Sequence, residues 1–223
     1  MASRQVLDNS QEGHFPYDMD ALGLTIQVNK GVFSPKHFNG WKIFTENFPQ
    51  DFEEKTILEV GTGTGVTALY LAKNGAEKVV AVDINQAAVE NARINATKNN
   101  VDNMEVRYSD IFSNVGKDEK FDIVYWNMPF MPATEDYEYA SMLERGLFDP
   151  GYQLTDRFLR EARDHLEDGG RVLVGTGEGE FADIPKLLAL AKQYGYDTRL
   201  LVRKESSEIN PVAFRLYELT CNQ

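Results

Sequence analysis

The segment Glu59-Val-Gly61-Thr-Gly63-Thr-Gly65 constrains this chain more than any other stretch. It follows the short apolar run Thr56–Val60 and opens a helical pattern that reaches about Asn74. Glycines placed directly after a buried strand let the backbone turn tightly and approach a ligand where a Cβ would collide. A strand, a glycine turn and a helix in that order form the ligand-binding crossover of a doubly wound α/β sheet. The spacing is Gly-x-Gly-x-Gly, whereas the dinucleotide fingerprint requires Gly-x-Gly-x-x-Gly. Glu59 argues in the same direction. A carboxylate beside the loop repels a pyrophosphate and suits a ligand that carries an ammonium and a sulfonium. The competing reading is a tight turn without a ligand, for which three spaced glycines would cost chain entropy to no purpose.

The rest of the chain supplies the strands that such a sheet needs. Lys78–Asp83, Phe121–Trp126 and Arg171–Val174 are apolar runs, and Met104–Tyr108 alternates. Helical patterns over about Gln86–Asn99, Gln153–Leu166 and Ala182–Tyr194 separate them. Strands alternating with helices predict βαβ units and a mainly parallel sheet. Thr198–Lys204 and Ala213–Leu219, joined through Ser-Ser-Glu-Ile-Asn-Pro, read as an antiparallel terminal hairpin. The expected fold is therefore α/β, a doubly wound, mainly parallel sheet of seven strands with a short N-terminal extension. The first 30 residues have no sustained period, and Ser34-Pro35 reads as the N-cap and first position of a helix from about Lys36 to Asn47.

Charge and composition narrow the partners. Lys plus Arg total 23 against 35 Asp plus Glu, a net charge of −12. A field of that sign repels phosphate backbones and anionic membranes, so nucleic acid is the less expected partner. The single cysteine, Cys221, excludes a disulfide framework and a cysteine zinc site, and the three scattered histidines argue against any metal centre. The chain lacks an apolar leader and any run long enough to span a membrane, which predicts a cytoplasmic protein.

Three positions carry the candidate chemistry. Asp83 ends the second strand, where an acid can accept both hydroxyls of a ribose; Asp at a strand end also serves as a helix N-cap. Asp110, in Ser109-Asp110-Ile111-Phe112, can receive an adenine amino group or cap a turn. Trp126-Asn127-Met128-Pro129-Phe130 ends the fourth strand, and the carboxyl ends of parallel strands face the ligand crevice. Asn127 offers an amide oxygen, Pro129 holds Met128 extended so that its carbonyl aims outward, and Phe130 supplies a flat face. Two acceptors converging on an –NH₂ group would turn its lone pair toward the ligand. A plain turn with a buried Phe is the alternative.

Taken together, Ile57–Gly65, Asp83, Asp110 and Asn127–Phe130 resemble the motifs of class I S-adenosylmethionine-dependent methyltransferases. More narrowly, they resemble the small-domain group that includes release-factor glutamine methyltransferases and the guanine and adenine N-methyltransferases of RNA. Gly31-Val-Phe33-Ser34 is similar to that group as well, and the likeness covers about residues 31 to 180. The resemblance implies a Rossmann-like fold, residues 1–50 as an extension and helix covering the pocket, and residues 51–223 as the methyltransferase domain. It implies S-adenosyl-L-methionine as cofactor, with Glu59, Gly61, Thr62, Gly63 and Gly65 at its methionine part. Asp83 would hold the ribose, Ile84 and Ile111 would flank the adenine, and Asp110 would take its amino group. Asn127 would face both the cofactor and the acceptor nitrogen, sharing the catalytic role with Pro129 and Phe130. Phe33, Phe130 and Tyr137 would contact the acceptor. The group's usual tetrad is Asn-Pro-Pro-(Tyr/Phe), and this chain departs from it at Met128.

Three loops should form an acidic rim at the ligand-facing edge. They carry Glu135, Asp136 and Glu138, then Glu178 and Glu180, then Glu205 and Glu208. Such a rim suits a cationic acceptor, on which Tyr137 and Tyr139 can stack, though an acidic protein scatters acid everywhere. The expected activity is in-line methylation of a nitrogen on a protein side-chain amide or an amine-bearing small molecule. The alternatives are a nucleic-acid base N-methyltransferase, an NAD-dependent oxidoreductase, and a non-catalytic cofactor-binding subunit.

Overall fold

The computed structural model describes residues 2–179, 182–206 and 212–222. After a helix α1 (Ala2–Asn9) come a hairpin of β1 (Tyr17–Ala21) and β2 (Leu24–Val28), and a short helix α2 (Gly40–Glu46). The alternating region follows as β3 (Thr56–Val60), α3 (Val66–Lys73), β4 (Lys78–Asp83), α4 (Gln86–Lys98), β5 (Met104–Tyr108) and β6 (Phe121–Asn127). Beyond it lie β7 (Met131–Ala133), β8 (Phe148–Pro150), α5 (Gln153–Ala162), β9 (Leu166–Gly177), α6 (Ile184–Gln193), β10 (Tyr196–Glu205) and β11 (Ala213–Cys221).

Seven strands make one sheet in the order β10-β11-β9-β6-β3-β4-β5. The five central and edge strands from β9 to β5 run parallel, and β11 is antiparallel to both β9 and β10. Side chains alternate between two cores. Ile57, Val79, Ala81 and Ile123 turn toward Ala68 and Leu69 of α3 and Val89 and Ala92 of α4. Leu58, Val60, Val80, Val82 and Val124 turn toward Phe158 and Leu159 of α5 and Leu187 of α6. A sheet buried on both faces favours near-continuous apolar runs, as in Val79–Val82 of β4 and Ile123–Trp126 of β6, and the run of β3 is broken only by the buried Glu59.

Four features differ from expectation. Residues 17–28, without a clear period in the sequence, form a hairpin whose two-residue turn has Leu22 at φ 51° and Gly23 at φ 75°. Its β2 edge is covered by α4, and the covering groups are asparagines. Asn91, Asn95 and Asn99 each accept a backbone N–H from Asn29, Gln27 and Thr25, and each donates to a carbonyl of the same segment, at 2.8–3.0 Å. Side-chain amides at i, i+4 and i+8 thus replace a paired strand.

The expected helix from Lys36 starts instead at Gly40, because the Ser34 hydroxyl is engaged by the Tyr17 hydroxyl and the His37 ring rather than by a helix N–H. The helix from Gln153 ends at Ala162, and β9 begins at Leu166, opposite Phe121. Finally, β7 and β8 pair in parallel as a separate small sheet, which fixes the chain just after the Asn127 tetrad. Among the described residues no helix is long and apolar enough to cross a membrane.

Candidate active site

A cavity of about 810 Å³ lies at the carboxyl ends of β3, β4 and β6. Gly61, Thr62 and Gly63 line it, and so do Asp83, Ile84, Asp110, Ile111 and the whole tetrad from Asn127 to Phe130. Phe33 lines it from the N-terminal segment. Glu59, Gly65 and Tyr137 stand apart from its wall.

The glycine loop is pinned from beneath. Thr62 N–H donates to the Val82 carbonyl at 3.0 Å, and Gly65 N–H donates to Thr62 at 2.8 Å. A Cβ on Gly65 would come within 3.1 Å of the Ala92 Cβ, so this glycine lets α3 start against α4. Gly63, at φ 57°, has nothing within 4 Å of its Cβ position and presents bare backbone to the cavity. Glu59 is buried under the loop, where one carboxylate oxygen accepts the Thr62 hydroxyl at 2.5 Å and the Ala68 N–H at 3.2 Å. Burial pushes its pKa up to about 8, and the charge of Asp83 adds to the rise, against the two hydrogen bonds. Glu59 therefore acts on the cavity through the loop that it holds from beneath.

Asp83 uses one oxygen to accept the Gly63 N–H and the other to accept the Asn85 N–H, both at 2.8 Å. Each carboxylate oxygen keeps a second lone pair for a ligand. Burial raises its pKa, and these N–H bonds oppose the rise. The N-cap of α4 is Asn85, whose Oδ1 accepts the Ala87 N–H, so capping does not account for Asp83. The Asn85 amide also donates to the Gly31 carbonyl at 2.8 Å, holding the Gly31–Ser34 segment over the loop. Phe33 in that segment lies 4.1 Å from the ring of Phe38.

Asp110 pairs with Arg157 at 3.1 Å, and its carbonyl accepts from the same guanidinium. Its neighbour Ile111 sits at φ 54°, a strained conformation for a β-branched residue, held by the Ser109 hydroxyl at 2.8 Å from its carbonyl. The strain sits on the cavity wall, which Ile84 also lines.

At the end of β6 the Met128 N–H donates to Gly175 at 3.1 Å, locking the tetrad to β9. The Met128 side chain is buried within the core that faces α5 and α6. Among the described residues no hydrogen bond engages the Asn127 side chain or the Met128 carbonyl, so both acceptors remain available to a ligand. The Phe130 ring covers Gly177, where a Cβ would clash at 2.5 Å, and meets Phe214 edge-on at 6.2 Å.

Tyr137 has another occupation. Its hydroxyl accepts from Arg4 at 2.8 Å and donates to the buried Glu144 at 3.0 Å, tying α1 to the turn at Met142–Gly146. Two acids of the expected rim are paired with arginines. Glu178 binds both Arg203 and Arg215, which draw its pKa down to about 2, and Glu205 lies 3.4 Å from Arg203. Glu180 and Glu208 fall outside the described residues, and none of the other rim acids lines the cavity. Sequence reasoning missed the cavity residues Phe38, Trp41, Arg145 and Phe214. The aromatic residues of 31–50 were a usable signal; Arg145 carried none.

A family model described as methyltransferase small domain matches residues 23–189. A Methanocaldococcus jannaschii chain provisionally named protein N5-glutamine methyltransferase is 40% identical over 157 residues, 68% of this chain and 78% of its own length. A release factor glutamine methyltransferase of Fusobacterium nucleatum is 27% identical over 210 residues, 85% of this chain and 58% of its own. Among solved structures, the T. thermophilus 16S rRNA N2 G1207 methyltransferase in complex with AdoMet and guanosine superposes with a TM-score of 0.67 at 19% identity. It covers 93% of this chain, which spans about half of that protein at 50%. On the match of residues 23–189 and the 40% identity, the chain belongs to the methyltransferase small domain family of S-adenosylmethionine-dependent methyltransferases.

Proposed function

We propose that this protein binds S-adenosylmethionine in the 810 Å³ cavity and methylates a nitrogen there, on a protein side-chain amide or an amine-bearing small molecule. The observation that carries the reading is that the glycine loop, Asp83 and the Asn127–Phe130 tetrad line one cavity, where among the described residues no hydrogen bond engages the Asn127 side chain or the Met128 carbonyl. The residues fit the cofactor: Gly63 leaves space where a side chain would project, Asp83 keeps free lone pairs, and Ile84 and Ile111 offer apolar walls.

When bound, the cofactor supplies an electrophilic methyl on a positively charged sulfur that is already a good leaving group. The protein's part is orientation. Asp83 accepts the ribose hydroxyls, the backbone of Gly61–Gly63 borders the methionine part, and Asp110 receives the adenine amino group. Asn127 and the Met128 carbonyl accept the N–H bonds of the acceptor, leaving its lone pair aimed in line with the methyl. Those bonds strengthen as the nitrogen gains positive charge, and the nitrogen would then give up one proton to water, leaving a neutral N-methyl product. Phe130 stacks on the planar amide. Residues 1–50 serve as the cover, through Phe33, Phe38 and Trp41 on the cavity wall, and residues 51–223 as the transfer domain.

The names of the relatives support glutamine amide as the acceptor group. A nucleic-acid acceptor fits the net charge of −12 less well. The test offers tritiated S-adenosylmethionine together with a release factor, free glutamine or total RNA. Label in protein or glutamine, lost in Asn127→Ala, is expected. Label in RNA alone would overturn the acceptor class.

A further inference from the structure

The ionisable side chains on the cavity wall are Asp83 and Asp110, which the reading above gives to the cofactor, with His37 and Arg145. Arg145 is anomalous within this chain. Every other arginine has a hydrogen-bond or ion-pair partner. Among the described residues Arg145 has none, and its Nε is buried without an acceptor. Its guanidinium lies 5.0 Å from the centre of the Tyr139 ring, a contact that gives it no anion. In a protein of net charge −12, carboxylates are the most abundant partners available, and the adjacent Glu144 is taken by Arg4, Tyr137 and the Ala140 N–H.

The fold ties this cation to the tetrad. Met131, the residue after Phe130, donates its N–H to the Leu147 carbonyl at 2.9 Å and pairs with Phe148 in the β7–β8 sheet. Arg145 lies three residues before Phe148, so the small parallel sheet couples the two walls. A guanidinium with a buried, unsatisfied N–H is costly unless a ligand brings an oxyanion to its fork.

We propose that Arg145 reads a carboxylate on the methyl acceptor, so that the substrate presents an –NH₂ group to Asn127 and a carboxylate to Arg145. This deepens the methyltransferase reading and rests on it for the role of Asn127. It also differs from the cationic acceptor expected from an acidic rim: Glu178 is paired with Arg203 and Arg215, and none of the described rim acids lines the cavity, whereas Arg145 does.

The probes are N-acetylglutamine, which has the carboxylate, and N-acetylglutaminamide, which does not. Binding to the full chain is measured by calorimetry, and the Arg145 Nε–H resonance is followed during the titration. The expected result is binding roughly ten- to hundredfold tighter for the carboxylate probe, with the resonance shifting only for that probe. Arg145→Met should erase the preference, while Arg145→Lys keeps part of it. Melting curves establish that both variants are folded, and S-adenosylhomocysteine is titrated separately. Equal binding of the two probes, binding of neither at millimolar concentration, preference for inorganic phosphate over both, or an unchanged preference in Arg145→Met would each overturn the proposal. Absence of S-adenosylhomocysteine binding with the Arg145 effect intact would instead remove the cofactor reading.

Discussion

The Gly63 N–H donates to Asp83 Oδ2 at 2.8 Å, so the acid that ends β4 and the loop that follows β3 form one unit. The carboxylate shapes the loop and keeps lone pairs for a ligand. Asp83→Ala should therefore weaken S-adenosylhomocysteine binding by about 1–3 kcal/mol, roughly ten- to hundredfold in Kd. Asp83→Asn, which retains one acceptor oxygen, should lose less. Calorimetry decides it, and wild-type affinity in Asp83→Ala would remove Asp83 from the ribose site.

The Asn127 side chain makes no hydrogen bond among the described residues, so its truncation should leave the fold and the cofactor affinity nearly untouched. Turnover should fall about 100-fold or more, as when an oriented transition-state hydrogen-bond partner is removed. Single-turnover methyl transfer beside cofactor titration separates the two effects. A parallel loss of both would mean that Asn127 serves the cofactor alone.

The pH dependence of stability should carry the signature of Glu59. Its pKa is raised from 4.5 to about 8 by burial, so between those values the folded state holds a proton that the unfolded chain has released. Its contribution is thus fully present below about pH 4.5 and is lost as pH rises through about 8. Burial shifts Asp83 in the same direction, so the comparison with Glu59→Gln isolates the effect. That variant should melt with a flatter profile from pH 5 to 8. A cationic cofactor favours the ionised carboxylate, so wild-type affinity should rise with pH in this range and release a proton. Equal slopes in wild type and Glu59→Gln would reject this.

The central sheet was legible because strands buried on two faces must be apolar throughout, and a glycine loop can open a crossover helix in few ways. The boundaries of β4 and β5 fall where the pattern put them. Residues 17–28 were illegible because Leu22-Gly23 is an unusual hairpin turn and half of the strand's partners are side chains of a distant helix. Ser34-Pro35 misled for a related reason, since a tertiary bond to Tyr17 outcompeted the cap. At the site, the residues expected to touch a ligand mostly share one cavity. Tyr137 does not, because its partner Arg4 lies 133 residues away in the chain, and no local spacing encodes that contact. Arg145 was invisible for the opposite reason, since only the absence of a partner marks it.

The asparagine ladder makes the last prediction. Asn95 is fully buried, and its amide serves three backbone groups: it accepts the Gln27 N–H and donates to the Gln27 and Thr64 carbonyls. The last of these ties α4, and through it β2, to the glycine loop. Asn95→Ala strands those groups away from water, each at about 1–3 kcal/mol before relaxation, so a net loss of about 2–4 kcal/mol is expected. At roughly 2–4 °C per kcal/mol for a chain of this size, the melting temperature should drop by about 5–15 °C. Thr97→Ala, on the exposed side of the same helix, should stay within about 0.5 kcal/mol. Cofactor affinity should weaken in Asn95→Ala only, because Thr64 belongs to the loop that borders the cavity. If the two variants melt alike, the amide ladder holds nothing, and β2 must be fastened by its apolar face of Leu24, Ile26 and Val28 alone.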